Sequence, residues 1–277
     1  YDRVSVAFNY GHIFDNGVEW DLNFLRAESS VDFDGTAQNS SDAIQQIIGT
    51  SLSWRPIETW RTKLAYGNSR DDSDNFLDGT YVTAFETQRH QISWQNDITL
   101  PNDDLFTLGL DYEHDEVDGD NDGDRRNDFT GDMREDSRDN KGVFVQYLGD
   151  WGRHHVQLAG RGDDNEQFGE HATGSAAYGI DFADNYTASI SYGTAFKAPT
   201  FNELYFPNYG NPELDPEESD SVEVGLDGDH GWGRWSLHAY QTEIDDLIAY
   251  DSATFAPANI EDTRIRGVEA SAGTVLA

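Results

Sequence analysis

The chain has 277 residues, no cysteine and a formal net charge of −35, because 53 Asp and Glu stand against 18 Lys and Arg. A surface this acidic repels phosphate and excludes nucleic acid as a partner. The mean hydropathy of −0.71 also reflects this polarity, and no apolar run approaches the roughly 20 residues of a membrane helix. The excess acid has two interpretations, adaptation to high salt and clusters of carboxylates that hold calcium.

Apolar and polar residues alternate along the chain in about thirteen segments. The pattern is clear in Val4–Tyr10, Val18–Phe24, Phe106–Tyr112, Ala172–Ile180 and Tyr186–Tyr192. Helical periodicity is nearly absent, and only Asp42–Ile48 is compatible with a turn of helix. A two-residue period predicts strands with one apolar and one polar face. The expected fold is therefore all-β, an antiparallel up-and-down meander.

The connections between these segments alternate in length. Short turns are predicted at Phe14–Gly17, Arg55–Thr59, Pro101–Asp103, Asp150–Gly152, Phe182–Asn185 and His230–Gly233. Longer polar loops are predicted at Ser30–Asp42, Asp71–Thr83, Val117–Asn140, Gly162–His171, Lys197–Ser219 and Tyr250–Asp262. Most tryptophans lie beside the short turns, where an interfacial aromatic girdle would form. Short turns at one end and long loops at the other are typical of membrane β-barrels. Their lipid-facing and lumen-facing residues alternate along each strand, so an averaged hydropathy does not detect the spanning strands.

Several segments resemble TonB-dependent outer-membrane receptors, and among them most closely the cobalamin transporters. The segments with similar sequence are Gly160–Gly169, Ser191–Pro199, Gly210–Ser219, Ile244–Ile248 with Tyr250, and Arg264–Ala270. The resemblance implies a 22-stranded barrel with a plugged lumen in the outer membrane of a Gram-negative bacterium. Residues 1–277 would form part of that barrel, without the N-terminal plug and the closing C-terminal strands. The open edges of such a part invite pairing with another copy.

The function that this resemblance implies is high-affinity, TonB-dependent uptake of cobalamin or a similar large chelate. TonB would act through the plug, and outer-membrane lipid would surround the barrel. A ferric-siderophore receptor is one alternative. Another is a secreted, calcium-dependent adhesin or carbohydrate-binding protein, which the acidity would also fit. No nucleophile elbow, phosphate loop or zinc-protease motif is present, so no enzymatic activity and no cofactor are expected.

An acidic loop is the candidate metal site. Asp118, Asp120, Asp122 and Asp124 alternate with a glycine at 123, a spacing that lets a tight turn direct several oxygens at calcium. Phe129 occupies the position where an EF-hand has its bidentate Glu, so an irregular structural calcium loop or a simply solvated acidic loop are the alternatives. The resemblance adds Asp32 and Asp34, in the loop that corresponds to the calcium-binding loops of cobalamin transporters.

Aromatic residues in the long loops are the candidate substrate contacts. A large ring-shaped ligand needs flat apolar surfaces with a few polar anchors. The residues that offer such surfaces are Phe76, Tyr81, Phe201, Tyr205, Phe206 and Tyr209. The alternative is that these rings pack one loop against another.

Overall fold

The computed structural model describes residues 1–36, 38–120, 137–206, 209–260 and 262–274. The strands are β1 (Asp2–Ile13), β2 (Glu19–Asp32), β3 (Ser40–Ile57), β4 (Trp60–Leu77), β5 (Thr80–Thr99), β6 (Leu105–Asp120), β7 (Ser137–Trp151), β8 (His154–Asn165), β9 (Gly169–Ala183), β10 (Tyr186–Lys197), β11 (Glu217–His230), β12 (Gly233–Asp245), β13 (Leu247–Asp251), β14 (Ala256–Ile260) and β15 (Thr263–Thr274). A single short helix, α1 (Phe201–Tyr205), occurs among the described residues. None of the helical structure in that part of the chain is long and apolar enough to cross a membrane.

Thirteen strands pair in one sheet, in the order β1 to β12 followed by β15, while β13 and β14 form a separate two-stranded ribbon. Every strand in the large sheet is hydrogen-bonded to its neighbours in sequence, apart from the step from β12 to β15. The predicted all-β meander of about thirteen strands is therefore confirmed. By compactness the described residues divide into unit 1 (1–96, 109–142 and 164–169) and unit 2 (97–108, 143–163 and 170–277).

Within unit 2, strand register gathers apolar side chains on one face of the sheet. Ile190 lies between Tyr178 and Val224 on the neighbouring strands, and all three side chains are exposed, Ile190 to 50%. The opposite face carries Glu223 and His238, whose side chains lie 2.9 Å apart. In unit 1 the same rule pairs two exposed leucines, Leu52 and Leu64. Alternating faces follow from the two-residue period of a strand.

The sheet contains almost no buried apolar core. Among the described residues, 40 large hydrophobic side chains are exposed, whereas only six hydrophobic residues are buried. Three of those six lie outside the sheet, in the connection between β10 and β11. A water-soluble sheet protein would cover its apolar face with a second layer. The apolar face is therefore suited to a hydrocarbon environment.

The six short turns appear where the sequence predicts them, at what we name the turn end of the sheet; the other connections lie at the loop end. Two predicted loops are wrong, because most of Asp71–Thr83 and of Gly162–His171 is strand. At the first, Asp78 and Gly79 have φ values of 51° and 77°, as in a two-residue hairpin turn. Backbone pairing continues along polar sequence because it does not depend on the side chains. For the same reason Asp42–Ile48 is not helical but part of β3.

Tryptophans do gather near the turn end, and several indole N–H groups donate to side chains of a neighbouring strand or of an adjacent turn. Trp20 donates to Thr50 at 2.8 Å and Trp60 donates to Asn96 at 3.1 Å. The exposed Trp151 donates to Asp104 at 3.3 Å. These bonds hold apolar ring surface at the sheet margin with the polar N–H satisfied, as an interfacial position requires.

Asp104 is the last residue of the connection between β5 and β6. Its carboxylate is 4% exposed and accepts hydrogen bonds from the Tyr147 hydroxyl at 2.6 Å and from Asn102 and Trp151. The bond from Tyr147 is the main cause that lowers the pKa of Asp104 below its ordinary value. A lowered folded-state pKa stabilises the folded protein above the unfolded-state pKa, which is about 3.9 for Asp.

The first prediction concerns the apolar face. Replacing Ile190 by Arg should lower the free energy of unfolding from a lipid bilayer by about 2–4 kcal/mol, because the charge would enter hydrocarbon. Ser191→Arg is the matched control, since Ser191 points to the other face and pairs with Glu223. Denaturant titration of the full-length receptor in liposomes measures both. Equal losses for the two variants would contradict the assignment of faces.

The second prediction concerns Asp104. Asp104→Asn should be less stable than the unaltered protein at neutral pH. The difference should shrink as the pH falls below about 3.9 and through the lowered pKa, because the carboxylate is then protonated in both states. Unfolding midpoints measured from pH 7 to pH 2 test this. A difference that stays constant over that range would show that the charge of Asp104 contributes nothing.

Candidate functional site

The connection between β10 and β11 begins with a capped helical turn. Thr200 is the N-cap of α1, and its hydroxyl accepts a hydrogen bond from the Glu203 amide at 3.2 Å. The Glu203 carboxylate in return accepts from the Thr200 amide at 2.7 Å. This reciprocal pair is a capping box, which the sequence Thr-Phe-Asn-Glu encodes directly. It fixes the direction in which α1 leaves the sheet.

A small apolar core forms beneath α1. Leu204 is 1% exposed and Phe201 is 5% exposed, and Leu214 is also buried. The backbone at Gly210 passes so close to the helix that a Cβ atom there would lie 2.6 Å from the Leu204 carbonyl oxygen. Only glycine permits that approach. The connection is thus a compact, internally packed structure.

Side-chain hydrogen bonds join this connection to the β13–β14 ribbon. Asn259 Nδ2 donates to the carbonyls of Asp215 at 2.9 Å and Asp246 at 2.7 Å, while its Oδ1 accepts from the Asp215 amide at 2.9 Å. Asn211 Nδ2 donates to the Pro257 carbonyl at 3.0 Å. The two segments, 198–216 and 246–262, therefore form one structure, which we name the cap.

A glutamate ties the base of the cap to the sheet. Glu217, the first residue of β11, accepts hydrogen bonds from Lys197 Nζ and from the Ile248 amide, both at 3.0 Å. Lys197 also lies 3.7 Å from Glu203. Charge-assisted bonds of this kind are stronger than neutral ones. They place the cap in a defined position at the loop end of unit 2.

The outer surface of the cap is aromatic. The rings of Tyr209 and Tyr250 stack across the two segments with centroids 6.3 Å apart and planes inclined by 9°. Tyr250 is 54% exposed, and Phe255, at the tip of the β13–β14 ribbon, is 68% exposed. Phe255 has φ 59°, a left-handed conformation that costs a bulky residue about 1–2 kcal/mol.

The cap is also strongly acidic. Its two segments contain seven Asp and Glu residues and no Lys, Arg or His. Just before the ribbon, the exposed Asp245 lies within hydrogen-bonding reach of Asp262. Acidic side chains therefore crowd together at the base of the cap. The surface combines flat apolar rings with a negative field.

The predicted substrate contacts are distributed over both units. In unit 2, Tyr209 is exposed and Tyr205 and Phe206 are half-buried, whereas Phe201 packs inside the cap and offers little ring surface. In unit 1, the half-buried rings of Phe76 and Tyr81 meet edge to face with centroids 5.9 Å apart. Contact between any of these residues and a substrate stays a prediction.

The predicted metal ligands are only partly visible. Asp122 and Asp124 lie outside the described residues, as does the side chain of Asp120. Asp118 is exposed, and its carboxylate accepts from the Gly119 amide at 2.7 Å. Asp32 and Asp34 are exposed, and no group of three or more His, Asp or Glu suited to a metal occurs among the described residues. A structural calcium ion stays a prediction that rests on the spacing of the acidic loop and on the family resemblance.

Sequence reasoning did not select Tyr250, Phe255 or Asn259 as functional residues. Tyr250 belongs to a segment that carries the family resemblance, which is a usable signal. The left-handed backbone of Phe255 has no signal in the sequence, because a turn there would ordinarily contain Gly or Asn. The role of Asn259 depends on a partner 44 residues away, Asp215.

Comparison with known proteins agrees with this architecture. A family model described as "TonB dependent receptor-like, beta-barrel" matches residues 1–275. The chain belongs to the TonB-dependent receptor family. It is therefore a protein of the Gram-negative outer membrane, and its family consists of receptors rather than enzymes. The resemblance stated from the sequence is confirmed.

Individual proteins with similar sequence or structure can also be compared with this chain. The vitamin B12 transporter BtuB of Photobacterium profundum is 34% identical in an alignment of 225 residues, with 76% of this chain and 35% of that protein covered. Among solved structures, the siderophore receptor PirA from Acinetobacter baumannii has a TM-score of 0.77 at 14% identity, with 98% of this chain and 50% of that one covered. The copper transporter OprC has a TM-score of 0.75 at 16% identity, with 99% and 50% covered. At such identities the structural matches show the fold alone. The chain spans about a third of the B12 transporter and half of each of these two structures.

The third prediction concerns the joint within the cap. Asn259→Ala removes three hydrogen bonds, each contributing about 1 kcal/mol, so the ribbon should open more often. Hydrogen-exchange mass spectrometry of the full-length receptor should show faster exchange in peptides that cover residues 246–260. Asn202→Ala, on the exposed side of α1, is the control and should leave that exchange unchanged. Unaltered exchange in Asn259→Ala would show that Asn259 does not hold the cap together.

Proposed function

We propose that this chain is part of the barrel of a receptor that captures cobalamin outside the cell and imports it in a TonB-dependent manner. The observation that carries the proposal is the 34% identity to a vitamin B12 transporter over 76% of the chain. In this proposal TonB acts through a plug contributed by the remainder of the receptor. The barrel provides the wall of the path and the outer binding surface.

The charge of the cap supports this cargo on physical grounds. Segments 198–216 and 246–262 contain seven carboxylates and no basic residue. Lys197, just outside them, lies 3.7 Å from Glu203 and offsets one of the seven, so a net negative field remains at the loop end. Such a field repels anionic ligands and tolerates neutral or cationic ones. Ferric catecholate complexes carry several negative charges, whereas cyanocobalamin is neutral. The described residues give the ferric-siderophore alternative no comparable charge argument. The similarity to solved siderophore receptors, at 14% identity, indicates the fold only.

The aromatic surface fits the same cargo. A corrin ring is large and flat, and it gains most from apolar surfaces of similar shape with polar groups at their margin. The stacked Tyr209 and Tyr250 rings provide such a surface, and the cap that carries them contains seven carboxylates. Tyr205 and Phe206 are half-buried in the same cap and are proposed to contribute at its edge.

The fourth prediction tests the cargo. Outer membranes containing the full-length receptor should bind cyanocobalamin with high affinity and should bind a ferric catecholate complex far more weakly, because the acidic cap repels the anion. Equilibrium titration of both ligands, at low and at high salt, measures this. The preference should narrow as salt screens the field. Stronger binding of the ferric complex at low salt would overturn the proposal in favour of a siderophore receptor.

A further inference from the structure

Phe255, at the tip of the β13–β14 ribbon, has a left-handed backbone conformation that is unusual for a phenylalanine. Among the described residues, four that are not glycine have a positive φ, namely Asp78, Asp103, Asp246 and Phe255. Aspartate tolerates the left-handed region, whereas a bulky aromatic residue there is an outlier. Phe255 is thus the one strained residue of this group whose type does not suit its conformation.

The fold gains nothing that would compensate for this strain. The Phe255 side chain is 68% exposed, so burial of its ring does not stabilise the ribbon. The turn itself is held by other groups: the Phe255 amide donates to the Asp251 carbonyl at 2.8 Å, and Asp251 accepts from the Ala253 amide and the Thr254 hydroxyl. Any residue could donate the same backbone bond, and Gly or Asn would do so without strain. Strain that packing does not require indicates a functional constraint.

The position of Phe255 is fixed relative to the aromatic surface of the cap. It immediately precedes β14, in which Pro257 pairs with Tyr250 of β13. Pro257 is buried and its carbonyl accepts from Asn211, so the ribbon is anchored just beyond its strained tip. A ring held on such an anchored turn is preorganised for contact with a ligand, which reduces the entropy lost on binding.

We infer that Phe255 is a specificity-determining contact of this receptor, and that its ring, with those of Tyr250 and Tyr209, grips the flat apolar macrocycle of a corrinoid. The inference rests on the proposed function and adds to it a ligand-gripping residue. The class of ligand follows from charge and shape together. The excess of carboxylates in the cap disfavours an anion, and exposed flat rings favour a flat, uncharged partner of similar size.

The test uses Phe255→Gly in the full-length receptor, with cyanocobalamin as the probe. Glycine removes the ring and relieves the strain, so the affinity should fall while the local stability of the ribbon should not. Affinity should fall about tenfold or more, as for truncation of an aromatic binding residue. Hydrogen exchange in residues 246–260 should slow or stay the same. Phe255→Tyr retains the ring and should keep the affinity within about twofold.

Asp103→Gly is the matched control. It relieves a positive φ of 67° in a turn-end connection, so it should leave the affinity unchanged. Unaltered affinity in Phe255→Gly, with binding by the unmodified receptor intact, would overturn this inference and leave the proposed function standing. Lost affinity accompanied by faster exchange of the ribbon would also overturn it, because Phe255 would then support structure. Failure of the unmodified receptor to bind cyanocobalamin would overturn both.

Discussion

Backbone hydrogen bonding between neighbouring strands is the interaction on which the rest of this structure depends. Thirteen strands satisfy one another in a single order, and hydrocarbon offers no alternative partner for their N–H and C=O groups. Because the backbone supplies this cohesion, the sheet can present Ile190 and Val224 to its surroundings instead of burying them in a core. The same independence lets β4 and β5 continue through polar sequence as far as the turn at Asp78 and Gly79.

The cap, in contrast, is held together mainly by side chains. It has little strand pairing with the large sheet, and side chains hold it: Asn259 and Asn211 bond to backbone carbonyls, and Glu217 joins Lys197 to the ribbon. Half of the buried hydrophobic residues among those described lie in its β10–β11 segment. A compact structure built in this way can present a rigid binding surface while the sheet below it meets lipid. Binding residues on loops are positioned by their scaffold in this manner.

The fold could be predicted from the sequence because its signals are local. A period of two is read directly from Tyr186–Tyr192, and it survives in the structure as the alternation between Ile190 and Ser191. Two kinds of element were missed for physical reasons. Polar segments such as Asp71–Thr83 extend strands, because backbone pairing does not depend on side-chain polarity. The helix α1 is too short to show a helical period in the sequence, although the residues of its capping box, Thr200 and Glu203, can be recognised there.

The candidate site could be predicted only in outline. The sequence places aromatic residues in the long loops, yet it cannot distinguish Phe201, which packs inward, from Phe255, which is exposed. Both are phenylalanines that follow a Thr in polar surroundings, and their different exposure, 5% for Phe201 and 68% for Phe255, is set by the fold of the cap, whose two segments Asn259 and Asn211 join. The sequence by itself thus determined the strands, the alternation of faces and the family, since these depend on neighbours along the chain. Only the tertiary structure decided which rings are exposed on the cap, because that depends on contacts between segments more than 40 residues apart.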